Sequence, residues 1–572
     1  MFNIYKQQKA LLSISLLSSL ALASPAVQAQ VLNYGIGDAV RDTNVAKPPV
    51  QPTEPPAPVI IQEEETPLSL ADGEKIAVRD FRVEGAEFLD ENEVSSLLQP
   101  YRNRELNINE IRQAANKITV YAREQGYMVA RAFVPKQNIQ DGVLLIKVVA
   151  GKYGKFQMKN SSLLKDERLQ GIFEQTKSKS GIVTKEGLER SILLVNDTPG
   201  ARMPRVSISA GAEPGTSDFL VETEAADRVQ GYVMADNYGS RFTGENRVTG
   251  ELYINSPFGI GDRISLKGTT TKAAGLQNAR AAYEFPLNND GLRLEVAAAK
   301  TTYKLGDEYV ALEATGEAEM YSARLSYPIK RTREDSIYLS LDVTNKQLKD
   351  SYFSGTSTTA KQENVATLNL QRETYGSLFG LFAYSNVNVG AAFGHLNFDD
   401  KALEAVSDTA GNFSKLNVSF FGNLALTEKW SLETTAQVQD SLGNRLDGVE
   451  QFSVSGPSGI KSYPDGVTGD KGYLLGAELK FALNPGADIS HTVGVFANYG
   501  SVKLEGKPYL YVFNGAVQRA NKLNISDIGL AYYLSSKKYF GRLQVAKTTG
   551  NSDATNVYND DVKVQAMLGL RF

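Results

Sequence analysis

The last third of the chain reads as strand after strand of alternating apolar and polar residues, and it ends on an aromatic, Phe572. In the closing run Val562, Val564, Ala566, Leu568, Leu570 and Phe572 fall on one face, with Lys563, Gln565 and Arg571 on the other. Successive side chains of a strand point to opposite faces, so this run is greasy on one side and mostly polar on the other. The alternation recurs at Leu292, Leu294 and Val296, at Ile337, Leu339, Leu341 and Val343, and at Leu416, Val418 and Phe420. A sheet satisfies all its backbone groups in lipid only by closing on itself, which leaves no free edge. At roughly 20–22 residues per strand with its loop, residues 225–572 supply about 16 strands, an even number. The expectation is a membrane β fold: a transmembrane β-barrel of about 16 strands with a wet bore. A soluble β-sandwich also alternates, but the length of the region, a secretory signal and the terminal aromatic weigh against it.

That signal is residues 1–29. Lys6 and Lys9 precede an apolar stretch from Ala10 to Ala23, and Val27-Gln28-Ala29 offers small residues for cleavage before Gln30. Beyond it no window approaches the ~18–20 apolar residues of a spanning helix. The chain has no cysteine, which excludes disulfides, thiolate metal sites and cysteine nucleophiles. A net charge of −4 argues against a nucleic-acid partner. His395 and His491, the only histidines, lie far apart and support neither a Ser-His-Asp triad nor a histidine metal site. Among 65 Asp and Glu no pair stands out for acid–base work. Gly259-Ile260-Gly261 lacks the third glycine of a dinucleotide fingerprint and reads as a hairpin turn. Trp430 opens a strand, as a residue of an interfacial belt does. No enzyme, cofactor or metal is expected.

Between signal and barrel the composition changes three times. Residues 30–45 contain Gly37-Asp38-Ala39-Val40-Arg41, a short helix candidate. Residues 46–74 carry Pro48, Pro49, Pro52, Pro55, Pro56 and Pro58 and the acidic run Glu63-Glu64-Glu65, the signature of an extended, solvated linker that does not join a core. Residues 75–150 and 151–224 read as two α/β modules of about 75 residues, each enough for a small core. In the first, strands Ile76 to Val83, Val129 to Val134 and Val143 to Val149 surround helices Asp90 to Leu98 and Asn107 to Gln125; Ile111, Ala114, Ala115, Ile118 and Ala122 recur at helical spacing. The second repeats the order, with strands Lys155 to Met158, Arg205 to Ser209 and Phe219 to Glu224 and helices Leu163 to Gln175 and Lys185 to Asn196.

Two α/β modules after a Pro-rich linker, then a barrel, resemble the outer-membrane transporters of two-partner secretion, the TpsB or ShlB/FhaC/HecB family of the BamA-like superfamily. The modules would be POTRA domains. In the first, Ile118-Thr119-Val120-Tyr121 to Gly126-Tyr127, Val134-Pro135-Lys136-Gln137 and Asp141-Gly142-Val143-Leu144 look like the family's signature. Leu194 to Thr198 with Pro199-Gly200 resembles the segment before the second module's last strands. Asp236-Asn237-Tyr238-Gly239-Ser240, Thr243-Gly244 and Asn255-Ser256-Pro257-Phe258-Gly259-Ile260-Gly261-Asp262 resemble the first barrel hairpin. Around 453–473, Gly456-Pro457-Ser458-Gly459-Ile460-Lys461-Ser462-Tyr463-Pro464 falls where the family folds a long loop into the lumen, tipped by Val-Arg-Gly-Phe/Tyr. Ile460, Lys461, Ser462 and Tyr463 take those four places.

In the family that arginine pairs with the acid of a Phe-x-Asp-x-Gly motif on the barrel wall; here the wall reads Phe496, Asn498 and Gly500, with amide for acid. Both halves of the lock thus depart together, and parity turns Phe496 and Asn498 to one face. The expectations are a Lys461 ammonium on the Asn498 amide, or a lysine in lumen water or near Asp465 or Asp470. The resemblance implies a passive translocator with no catalytic centre. Its partner would be a large secreted exoprotein with an amino-terminal secretion domain, with outer-membrane lipid around the barrel, POTRA modules in the periplasm, and room for periplasmic chaperones as escorts. Capture would proceed by strand addition at a free POTRA edge, for which Val129, Arg131 and Phe133 in the first module and Arg205 and Ser207 in the second are candidates. Residues 31–45 would plug the resting pore, on a linker able to reach on the order of 80–90 Å. The alternatives are an outer-membrane protein assembly or insertion factor of the same superfamily, and a diffusion porin, which has no need of two α/β modules. The cargo class is open: an adhesin, a haemolysin, a haem-binding protein or a contact-dependent toxin.

Overall fold

The computed structural model describes residues 34–43, 59–62, 75–139, 141–463, 466–506, 509–513, 516–549 and 562–572. The expected signal peptide, residues 1–29, and, apart from 59–62, the Pro-rich stretch lie outside the described residues.

In the first module Asp80–Glu84 runs parallel to Val143–Val149, and Arg131–Phe133 completes the sheet antiparallel on the other side. The strand expected from Ile76 to Val83 is two, Ile76–Val78 and Asp80–Glu84, because the Arg79 N–H turns aside to Gly142 O at 2.7 Å. Asp90 caps Glu91–Leu98 by accepting from the backbone of Asn92 and Glu93. Asn107 and Glu110 form a reciprocal capping box at the start of Ile108–Glu124. The periodic residues Ile111, Ala114, Ala115, Ile118 and Ala122 are all buried, and the first four pack with Leu144 and Ile146 of the sheet.

The second module has a four-stranded sheet in the order Val59–Gln62, Ala201–Ala210, Thr216–Ala225, Lys152–Ser161, covered by helices Asp166–Ser180 and Lys185–Asp197. Its outer strand comes from the Pro-rich linker, contrary to the expectation that this stretch joins no core, because the Ala201–Ala210 edge offers backbone groups for it to pair with. Val59–Gln62 lies parallel to Ala201–Ala210, Val59 beside Arg205 and Ile61 beside Ser207. The two modules are fastened where Met128 and Val129 of the first pack against the second's core.

Sixteen antiparallel strands in chain order close the barrel, from Val229–Asp236 to Val562–Arg571. The seam pairs Tyr232 with Arg571 through Asp236 with Met567, and Phe572 extends it by exchanging backbone hydrogen bonds of 2.9 and 3.0 Å with Gly231. Leu339, Leu341 and Val343, then Val562, Val564, Leu568, Leu570 and Phe572, project from the outer wall, as alternation requires of a lipid-facing surface. Trp430 stands on that wall against Phe481, with ring centroids 4.7 Å apart. The turns at 256–262, 287–292 and 332–334 share one rim, and the second module abuts it: Lys165 N–H bonds Gly259 O, and Arg190 bonds Pro328 O, each at 2.8 Å.

Candidate functional site

Two segments of the chain fill the bore. The first is the helix Ile36–Asp42 with the residues just before it; Tyr34, Ile36 and Ala39 pack with the inward-facing Leu276, Tyr303 and Leu348. Wall groups hold both its ends. Asp350 accepts the Ile36 N–H at 2.9 Å, Arg247 donates to Asp42 O at 2.7 Å, and Lys267 donates to Thr43 O at 3.1 Å.

The second is the loop between strands Trp430–Asp440 and Lys471–Ala482, which turns into the lumen. A two-residue ladder, Phe452 with Gly469 and Ser453 with Thr468, narrows its neck. Beyond the neck Val454, Ile460, Tyr463 and Val467 form an apolar cluster with the wall residues Leu474, Val502, Leu523 and Ile525. The loop closes on itself through Gly456 N–H to Tyr463 O at 2.7 Å and Ile460 N–H to Val454 O at 2.8 Å. Gly500 permits the approach: a Cβ there would lie 2.7 Å from Val454 Cβ.

At the tip the polar contacts converge on a residue that sequence reading missed. Asp527, on strand Lys522–Ser536, accepts the Lys461 N–H at 2.5 Å and the Ser462 N–H at 3.0 Å with Oδ2. Its Oδ1 accepts from Asn498 Nδ2 at 2.7 Å. Asn498 and Asp527 are direct cross-strand partners. The expected ammonium-to-amide contact is therefore not the arrangement found: Lys461 Nζ sits 4.3 Å from the centre of the Phe496 ring, and Asn498 spends its donor on Asp527. Nor does Asp470 serve the lysine, since it is taken by Arg445 Nη1 at 2.8 Å and by the N–H groups of Leu446 and Glu505 at 3.0 and 2.7 Å. Asp465 lies outside the described residues. Asp527 carried one readable sign, its parity with Leu523 and Ile525 on the lumen face. Its alignment with Asn498 depends on hairpin register, which the sequence does not state.

A second polar cluster, also unforeseen, fixes the loop's approach segment. Glu450 is buried between Lys346 and Lys415, with Lys415 Nζ at 2.7 Å, and Asp447 meets Lys361 at 2.7 Å. Arg41 of the lumen helix donates to Gly448 O, so helix and loop touch directly.

The two candidate client edges differ. In the first module the edge strand is only Arg131–Phe133; Val129 lies outside it, packed toward the second module, and the Ala132 N–H is already donated to Thr119 Oγ1 at 2.9 Å. In the second, Arg205 and Ser207 lie on a ten-residue strand whose outer side is occupied by Val59–Gln62. His395 and His491 lie apart on the outer wall, bonded to Asn412 and to the Tyr532 hydroxyl, each at 2.6 Å.

Comparison with known proteins matches these features. The model of the haemolysin secretion/activation protein ShlB/FhaC/HecB covers residues 215–517, and that of the ShlB-type POTRA domain covers 76–151. The heme/hemopexin transporter protein HuxB of Haemophilus influenzae (strain 86-028NP) is 25% identical over 467 residues, 81% of each chain. The outer membrane transporter CdiB of Dickeya dadantii (strain 3937) is 22% identical over 72% of this chain and 73% of its own. CdiB from Escherichia coli shares the fold at a TM-score of 0.71 and 19% identity, over 89% of this chain and 93% of that one. With more than half its length matched by the family model, the chain belongs to the ShlB/FhaC/HecB haemolysin secretion/activation family, the TpsB transporters.

Proposed function

We propose that the protein is an outer-membrane translocator. It takes an unfolded exoprotein from the periplasm and passes it through the barrel to the cell surface or medium. The observation that carries this reading is a closed barrel with two of the chain's own segments inside it, the helix tied to the wall by hydrogen bonds and the loop by hydrogen bonds and ion pairs. Such contacts break and reform, whereas a bore filled by wall side chains has nothing to release. The helix and loop act as the resting stopper, and no catalytic step is involved. The transporter names carried by HuxB and CdiB support the same class of work.

The client enters at the second module. Its Ala201–Ala210 edge is the longer of the two candidate edges, and the linker's own pairing along it supports strand addition there. Val59–Gln62 keeps the edge's N–H and C=O groups paired at rest, as an unprotected edge would invite unwanted pairing. A secreted exoprotein supplies the replacement strand through its amino-terminal domain. Folding of the exported chain outside supplies direction.

The cysteine-free sequence provides a direct test. Ile61 and Ser207 are register partners, so Ile61→Cys with Ser207→Cys places two thiols at neighbouring strand positions suited to a disulfide. Oxidation is expected to stop export of the co-expressed exoprotein, and reductant to restore it. Full export with the disulfide complete would remove this edge as the capture site.

A further inference from the structure

We infer that Asp527 is the positioning residue that holds the inward loop of this chain closed, and that it grips the backbone of the loop tip, leaving the Lys461 side chain outside the latch. The inference rests on the reading of the barrel as a stoppered conduit. Asp527 is about as buried as a residue gets, 1% exposed, and both its oxygens are occupied. Oδ2 takes two consecutive N–H groups of the tip, and Oδ1 takes the Asn498 amide. An ionised carboxylate is acceptor-only, and all three neighbours are donors. Without Asp527 the Lys461 and Ser462 N–H groups lose this acceptor beneath the cluster formed by Ile460 and Tyr463.

The identity of residue 498 follows from the same geometry. It lies directly opposite Asp527 in the ladder, so an acid there would set two carboxylates face to face, whereas an amide donates and orients its partner. Asn498 and Asp527 act as one unit, with the charge on the later strand. Because the tip is held by N–H groups, its side chain is not called on for a carboxylate. The ammonium rests on the Phe496 ring instead.

Amide hydrogen exchange reads these bonds directly. The test uses the full-length protein in lipid nanodiscs, following the amides of Lys461 and Ser462. Asp527→Ala is expected to speed their exchange about tenfold or more, the loss of charge-assisted acceptors to two donors. Asn498→Asp is expected to speed it as well, and the exchanged pair Asn498→Asp with Asp527→Asn to be slower than Asn498→Asp alone by about threefold. Lys461→Gln keeps the N–H and is expected to shift exchange by less than about threefold. Wild-type exchange in Asp527→Ala would overturn the latch, as would a Lys461→Gln effect as large as that of Asp527→Ala. If Asp527→Ala fails to show the heat-modifiable migration of an inserted barrel, Asn498→Asp and the exchanged pair decide the matter on the same readout. Fast exchange with wild-type conductance and secretion leaves the latch standing and removes the stoppered-conduit reading, so the two fail separately.

Discussion

At Gly37 the lumen helix and the inward loop meet backbone to backbone. A Cβ on Gly37 would lie 2.6 Å from both Gly448 C and Val449 N, and no flexible side chain is there to yield. Gly37→Ala therefore forces the helix from the loop, at a cost of about 1–3 kcal/mol typical of overpacking. The expected outcome is higher ion conductance in planar bilayers, in the same direction as deletion of residues 34–43; an unchanged trace in both would remove the helix as a stopper. Residues at this scale were legible where a local pattern speaks for them. Ile460 to Tyr463 and Phe496 to Gly500 lie at the loop–wall contact, since each is a compact run. Asp527 was not legible as a loop contact, because parity turns it to the lumen but only the register of the strand opposite says what it meets. Thr119 was hidden likewise: it lies on a helix, and only the fold brings its hydroxyl to the Ala132 N–H of the edge strand.

The loop's approach segment is held as an acidic strap across a lysine-lined wall. Lys346, Lys361 and Lys415 come from three different strands, and Glu450 and Asp447 bridge them. Buried charges of this kind are costly to orphan, and removing one partner is worth about 3–5 kcal/mol. Glu450→Gln leaves Lys346 with Glu363 at 3.0 Å but leaves Lys415 without its carboxylate. The strap is expected to loosen, read as faster protease cleavage within residues 441–453 from the cell surface; cleavage at the wild-type rate would show that the network is incidental. The wall itself was the most legible element set. Alternation and length predict about 16 strands, and 16 close the barrel, because the lipid face imposes period two on every strand. The linker strand was the least legible. Seven prolines and an acidic run dominate residues 46–74, and the β-branched triplet Val59-Ile60-Ile61 is too short to signal a strand without the edge that receives it.

The second module is clamped to the barrel, so the edge that receives the linker is fixed relative to the bore. Arg331 grips Asp197 with two hydrogen bonds of 2.7 and 2.8 Å, and Asp290 on a barrel turn takes Lys179 at 2.6 Å and Arg190 at 3.4 Å from the module, with the Tyr327 hydroxyl also on it. None of this was legible, since 61 basic and 65 acidic residues offer far too many pairings for spacing to choose among. The clamp has a defined pH dependence. Burial works against ionisation of Asp290, but Lys179, Tyr327 and Arg190 together hold its carboxyl below the usual aspartate range. Its folded pKa is thus the lower one, so its contribution is fully present above the unfolded value near ~3.9 and is lost as pH falls through the folded value. At neutral pH the clamp is closed. Spin labels on cysteines placed at the exposed Glu213 of the module and Lys429 of the barrel rim are expected to give one narrow distance distribution at pH 7. It is expected to broaden reversibly only below about pH 4. Asp290→Asn together with Asp197→Ala should reproduce that broadening at pH 7, since a bidentate arginine pair and a shared carboxylate are both lost. A distribution that stays narrow in the double variant would mean that apolar packing, such as Leu194 against the tight turn at Gly291, carries the joint instead.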